Sequence, residues 1–132
     1  MKFALIVEYI TGKAVMLTDV YDLKLALEKF YKELEKAFPY TNYKDFSLPA
    51  VTSCELVPVK YNSHKSGKMF ALITQYKTGK SAMTTDATDI LMALFKLKKE
   101  RQKENPADRS GSGALIDITS CELLPVLYEN KF

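Results

Sequence analysis

The five residues TSCEL occupy positions 52–56 and recur at positions 119–123, which lie 67 positions further along the chain. Two more identical stretches have the same offset, namely FALI at 3–6 and 70–73, and TGK at 11–13 and 78–80. One constant offset across a whole unit, without gaps, indicates a tandem duplication. The same set of elements is therefore expected to occur twice in the chain.

Each copy has the pattern of a β-β-α-β unit. In the first copy, the strand-like runs 3–9 and 14–18 flank the turn signal TGK and predict a β-hairpin. Apolar residues spaced three and four apart within residues 20–38 predict an amphipathic helix, with Asp19 as its N-cap and Asp22 in the first turn. The third strand is predicted at 51–60, and the elements of the second copy at 70–76, 81–85, 87–104 and 117–127.

Two such units predict an α+β fold with pseudo-two-fold symmetry, built from a mostly antiparallel sheet and two helices. The repeats are placed at residues 1–62 and 69–132 and are expected to form one compact domain. One six-stranded sheet and two sheets packed face to face both fit the pattern. The chain is expected to be a monomer with an internal pseudo-dimer, or a homodimer.

Composition excludes several classes of protein. The chain has 132 residues and a net charge of +3, which is a mild basic bias. No apolar segment is long enough to span a membrane, and the first residues lack the shape of a signal peptide, so we expect a cytoplasmic protein without a membrane partner. Two cysteines and one histidine are too few for a disulfide framework or a histidine-based metal site. No cofactor is predicted.

Residues that could carry catalysis have simpler structural interpretations. Cys54 and Cys121 stand at equivalent positions in the third strands, where free cysteine commonly packs as a small apolar residue. Glu55 and Glu122 lie inside the same strands and fit the solvent-facing side. An enzyme would need these two carboxylates to converge, and no catalytic motif accompanies them. We therefore predict that the protein is not an enzyme.

The two copies differ most along the helix. Leu91, Met92 and Phe95 add apolar surface to the second helix, whereas the first helix has Lys24 and Glu28 at two of the equivalent positions. These residues either form an exposed contact surface or pack against the other copy. Tyr40 and Tyr43, in the loop after the first helix, form a second candidate patch. The leading hypothesis is a small binding or regulatory protein that acts by occupying a protein partner.

The alternative hypothesis is a nucleic-acid-binding module that uses paired basic hairpin turns and helix ends. Short chains rich in lysine and tyrosine without catalytic residues are also common among bacteriophage accessory proteins, and this composition fits that class. The basic residues of the alternative site are Lys13, Lys80, Lys96, Lys98, Lys99, Arg101 and Lys103.

Overall fold

A computed structural model of the protein describes residues 2–9, 12–37, 51–104 and 117–129. Its elements follow the order β-β-α-β twice. The first copy comprises β1 (Phe3–Tyr9), β2 (Gly12–Thr18), α1 (Leu23–Ala37) and β3 (Val51–Ser63). The second comprises β4 (Phe70–Tyr76), β5 (Gly79–Thr85), α2 (Ile90–Glu104) and β6 (Ile118–Glu129).

The two predicted hairpins are confirmed. β1 pairs with β2 in antiparallel register from Phe3↔Thr18 to Tyr9↔Gly12. β4 pairs with β5 over the equivalent residues, 67 positions later. Gly12 and Gly79 have φ angles of 154° and 143°, which side-chain-bearing residues rarely adopt. The glycine of each TGK motif therefore permits the backbone conformation with which β2 and β5 begin.

The predicted α+β arrangement, with its pseudo-two-fold and mostly antiparallel sheet, is wrong. The six strands form a closed mixed barrel in the order β1-β2-β6-β4-β5-β3. Its parallel pairings are β2 with β6 and β3 with β5. The physical reason is the length of the third strands, 13 residues in β3 and 12 in β6. Each is long enough to pair with one hairpin along its first half and with the other along its second half.

The chain divides into two compact units whose boundaries fall inside these long strands. The first unit contains Met1–Val57 and Val126–Phe132, and the second contains Pro58–Pro125. The first seven residues of β3 thus belong to the first unit and its remainder to the second. Each unit is completed by a strand segment from the other sequence repeat.

The core of the first unit forms where α1 covers one face of its hairpin. Leu5, Val7 and Met16 from the strands pack with Ala26 and Phe30 from the helix, and all five are buried. Partly buried residues extend this cluster, among them Cys54, Leu56 and three tyrosines. Burial of a Leu, Val, Met or Phe side chain contributes about 1.5–3 kcal/mol relative to exposure.

The second unit repeats this arrangement with one smaller helix residue. Leu72 and Met83 of the hairpin pack with Ala93 and Leu97 of α2, and Tyr61 of β3 joins them. Leu97 stands where α1 has Phe30. Leu94 of α2 is partly buried against this cluster. Ala93 lies at its centre, and Ile90 is exposed.

Both helices begin three residues later than predicted. In each copy the strand leads into the helix through a buried threonine, because Thr18 Oγ1 accepts a hydrogen bond from Val20 N and Thr85 Oγ1 accepts one from Ala87 N. The N-cap of α1 is Asp22, not Asp19, since Asp22 Oδ1 accepts a hydrogen bond from Leu25 N at 3.0 Å.

Within the part of the chain that the structure describes, no helix is long and apolar enough to cross a membrane.

Candidate protein-binding surface

The start of α2 is fixed by Asp89. Its Oδ1 accepts hydrogen bonds from Leu91 N at 2.7 Å and from Met92 N at 3.2 Å, and its carbonyl oxygen accepts one from Ala93 N at 3.0 Å. These bonds satisfy backbone donors that the first turn of a helix otherwise leaves unpaired. Asp89 therefore fixes the first turn of α2, which carries Leu91 and Met92.

One side of α2 is buried and the opposite side carries large apolar residues. Ala93 and Leu97 are 0% and 1% exposed and face the core of the second unit. Leu91, Met92 and Phe95 are 74%, 55% and 55% exposed. We call these last three residues the α2 apolar patch. The sequence allowed these residues to be either packed or exposed, and in the structure they are exposed.

The equivalent surface of α1 has a different character. Lys24 and Glu28 replace Leu91 and Phe95, and only Leu25 keeps the apolar character of Met92. Leu25 is 45% exposed. The sequence difference between the copies thus corresponds to a difference in exposed surface, so the patch is specific to α2.

The outer face of α2 changes from apolar to basic along its length. Lys99 Nζ lies 4.7 Å from the centroid of the Phe95 ring, a distance at which a cation and an aromatic face attract each other. Lys98 is three residues beyond Phe95 and is half-buried. Because residues three and four apart are neighbours on a helix surface, both lysines border the patch.

The other basic side chains of α2 contact carboxylates. Lys96 Nζ is 2.5 Å from Asp86 Oδ1, and Lys103 Nζ is 3.2 Å from Glu100 Oε1. The Lys96 hydrogen bond lowers the pKa of Asp86 to about 2. Asp86 therefore serves as an ion-pair partner, and its Oδ2 also accepts a hydrogen bond from Lys65 N at 3.3 Å.

Arg101 forms the most extended of these interactions. Its two terminal nitrogens donate to Asp117 at 3.1 and 3.3 Å, and its guanidinium lies 5.5 Å from the Tyr76 ring centroid. The hydrogen bond from Arg101 lowers the pKa of Asp117. Within the described residues, Lys98 and Lys99 are thus the basic residues of α2 without a carboxylate partner.

A polar network at the end of α2 was not anticipated from the sequence. Tyr61 Oη donates to Glu104 Oε2 at 2.6 Å, and burial together with this hydrogen bond raises the pKa of Tyr61. At the equivalent places, the first unit has Tyr128 and Ala37. One sequence difference does mark this end of the helix, because Arg101 stands where the first copy has Leu34. No local pattern indicates the partners of Arg101, which are distant in sequence.

The hairpin lysines of the alternative site lie in different units. Lys13 faces Glu8 across the first hairpin, and Lys80 faces Gln75 across the second. Both lysines have interactions of their own in the structure. The structure therefore gives no free pair of basic hairpin tips that could be assigned to a phosphate.

Lys13 also lines a small open cleft of about 230 Å³ in the first unit, together with Glu8, Ser53, Cys54 and Glu55. Ser53 Oγ donates to Glu8 Oε2 at 3.1 Å. The Glu8 carboxylate in this cleft thus already accepts a hydrogen bond from a residue of β3.

The remaining candidates for chemistry are divided between the two units. Cys54 and Cys121 are free, half-buried thiols that pack against the cores of separate units. Glu55 belongs to the first unit and Glu122 to the second. Across residues 2–9, 12–37, 51–104 and 117–129, no group of three or more His, Cys, Asp or Glu side chains could hold a metal ion. Tyr40 and Tyr43 lie outside the described residues.

Comparisons with protein-family models, with curated proteins and with solved structures found no match to this chain.

Proposed function

We propose that this chain is a small non-enzymatic binding or regulatory protein that acts by occupying a protein partner, and that the α2 apolar patch is its contact surface. The observation that carries the proposal is the exposure of Leu91, Met92 and Phe95 on two consecutive turns of one helix. Clustered exposed apolar side chains are typical of protein-binding surfaces, and aromatic residues and methionine are enriched in them.

The support of the patch by the fold strengthens this proposal. Asp89 caps the turn that carries Leu91 and Met92, and Ala93 and Leu97 anchor the opposite side of the helix in a core. A surface on a rigid helix loses little conformational freedom when it binds, so more of its contact energy contributes to affinity.

The nucleic-acid alternative has less support. Of the five basic side chains at the end of α2, Lys96, Arg101 and Lys103 already contact carboxylates. Each would have to exchange that contact for a phosphate. Exposed apolar residues beside the remaining lysines also add nothing to binding of a phosphate backbone, which depends on charge.

The proposal includes a cytoplasmic location, where reducing conditions would keep Cys54 and Cys121 as the free thiols that the structure contains. Tyr40 and Tyr43 stay a predicted second contact, and the proposal does not depend on them.

The test is affinity capture with the full chain and two matched variants. Leu91→Ser with Phe95→Ser removes the patch, while Lys24→Ser with Glu28→Ser changes the equivalent positions of α1. We expect the wild type and the α1 variant to retain the same protein, and the patch variant to lose it. Equal retention by all three chains, or retention of no protein by the wild type, would contradict the proposal.

A control measurement separates loss of contact from loss of folding. The patch residues are exposed, so the melting temperature of the patch variant should stay close to that of the wild type. A sharp fall would assign Leu91 and Phe95 to the core and remove the proposed surface. Binding of labelled DNA or RNA that weakens steeply with salt and survives in the patch variant would favour the alternative.

A further inference from the structure

We infer that the segment bound by α2 is an acidic amphipathic one, in which apolar side chains contact the patch and carboxylates contact Lys98 and Lys99. This inference rests on the proposed function and specifies the chemistry of the partner. It starts from the charge pattern of the exposed face of α2, which is apolar in its first two turns and basic in the next two.

Charge complementarity selects the sign of the partner. The acidic residues of this part of α2 are already engaged, because Glu100 contacts Lys103 and Glu104 accepts the Tyr61 hydroxyl. Lys98 and Lys99 have no carboxylate partner among the described residues. A segment that covers Phe95 also covers the ammonium group of Lys99, which lies 4.7 Å from that ring. Covering a cation without an opposite charge would cost binding energy.

The spacing along the helix defines the pattern of the partner. Seven residues separate Leu91 from Lys98, which corresponds to roughly 10 Å along the axis. The partner therefore needs apolar side chains that reach the first turns of α2 and at least one carboxylate about two helical turns away. A partner helix with leucines at i and i+4, followed or preceded by glutamates, has this pattern.

A second copy of the same chain fits this face less well. Antiparallel pairing of two α2 helices about Phe95 would set Leu91 of one copy against Lys99 of the other. Parallel pairing would bring the lysines of both copies together. The parallel arrangement is disfavoured because like charges lie close to each other. The antiparallel arrangement gives the lysines no opposite charge. An acidic segment supplies that charge.

The probes are labelled synthetic peptides of about 16 residues, a length that covers the four turns of α2. Acidic peptides carry leucines at i and i+4 and three glutamates either before or after them, so that both orientations are represented. Control peptides have lysine in place of each glutamate. Binding to the full chain is measured by fluorescence anisotropy.

We expect an acidic peptide to bind the wild type and its lysine counterpart to bind at least about tenfold more weakly. Lys98→Glu with Lys99→Glu should reverse this preference, so that the lysine peptide binds the variant better. Lys32→Glu with Lys36→Glu makes the same charge change on the exposed side of α1 and should leave peptide binding unchanged. Reversal by a compensating charge is a result that a merely structural role of the lysines would not produce.

The inference is overturned if neither acidic orientation binds, or if both kinds of peptide bind the wild type equally. Sedimentation showing concentration-dependent dimers that are lost in the Leu91→Ser and Phe95→Ser variant would also overturn it, because the occupant would then be a second copy. The two proposals can fail separately. If a captured protein is lost with Leu91→Ser and Phe95→Ser but retained with Lys98→Glu and Lys99→Glu, only the acidic partner is contradicted. If the captured protein is retained by the Leu91→Ser and Phe95→Ser variant, the proposed function is contradicted.

Discussion

The ammonium group of Lys99 lies 4.7 Å from the centroid of the Phe95 ring, on the side of α2 that faces away from its core. This contact joins the exposed apolar residues at the start of the helix to the basic residues at its end. The equivalent residues of α1 are Lys32 and Glu28, which cannot form such a contact. The two repeats therefore share their internal packing but differ in the surfaces that they present.

The two sides of α2 should respond differently to truncation. Leu97→Ala should lower the free energy of unfolding by about 2–5 kcal/mol, because Leu97 is buried and the substitution leaves a cavity. Phe95→Ala should lower it by less than about 1 kcal/mol, because that side chain is half exposed. Urea unfolding of the two single variants measures both values, and equal losses would show that Phe95 belongs to the core.

The cap of α2 should depend on Asp89. Asp89→Ala removes the oxygen that accepts hydrogen bonds from Leu91 N and Met92 N and should cost about 1 kcal/mol of stability. Asp89→Ser keeps a capping oxygen and should recover most of this loss. Thermal unfolding of both variants tests the assignment, which is contradicted if alanine and serine are equally destabilising.

The hydrogen bond between Tyr61 and Glu104 should stabilise the second unit. Tyr61→Phe keeps the buried ring and removes the hydroxyl that lies 2.6 Å from Glu104, so we expect a loss of about 1 kcal/mol. Tyr76→Phe is the control, since Tyr76 meets Arg101 through its ring, and it should change stability by less than about 0.5 kcal/mol. If Tyr61→Phe were as mild as the control, the hydrogen bond would contribute nothing.

Tyr9 should make the first unit sensitive to alkaline pH. Burial, followed by the charges of Tyr128 and Tyr31, raises the pKa of Tyr9 from 10.0 to about 12. A pKa that is higher in the folded state means that the folded protein retains the proton that the unfolded chain loses. The contribution of Tyr9 is thus complete below pH 10 and is lost as the pH rises towards 12. Tyr9→Phe should reduce the decline in stability across this range, and an unchanged decline would exclude Tyr9 as its source.

Local sequence patterns predicted the elements better than their connections. The bounds of β1 and β4 match the predicted runs, because each hairpin is specified by residues close together in the chain. The predicted third strand ended at residue 60, whereas β3 continues to Ser63, and its last residues pair in parallel with β5. That pairing joins residues about 22 positions apart. No short-range pattern encodes it, and it is a parallel pairing of the closed barrel, where a mostly antiparallel sheet was expected.

The sequence singled out the residues of the candidate surface but left open whether they are packed or exposed. Comparison of the two repeats singled out Leu91 and Phe95, because the first helix forms its core without apolar residues at those positions. The contacts of Arg101 with Asp117 and Tyr76 could not be found in this way, since Leu34 occupies the equivalent place in the first copy. A repeat reveals which positions differ, but it does not supply the partners of the differing side chains.

The most direct test of the account is site-specific photocrosslinking inside cells, with a photoreactive phenylalanine analogue in place of Met92 and, in a matched chain, in place of Leu25. These residues are equivalent in α2 and α1 and are 55% and 45% exposed. If the α2 apolar patch binds a protein partner, position 92 will form an adduct with a second protein, position 25 will not, and the adduct will disappear when Leu91 and Phe95 are serine. No adduct at position 92, an equal adduct at position 25, or an adduct that survives both serine substitutions would contradict the account.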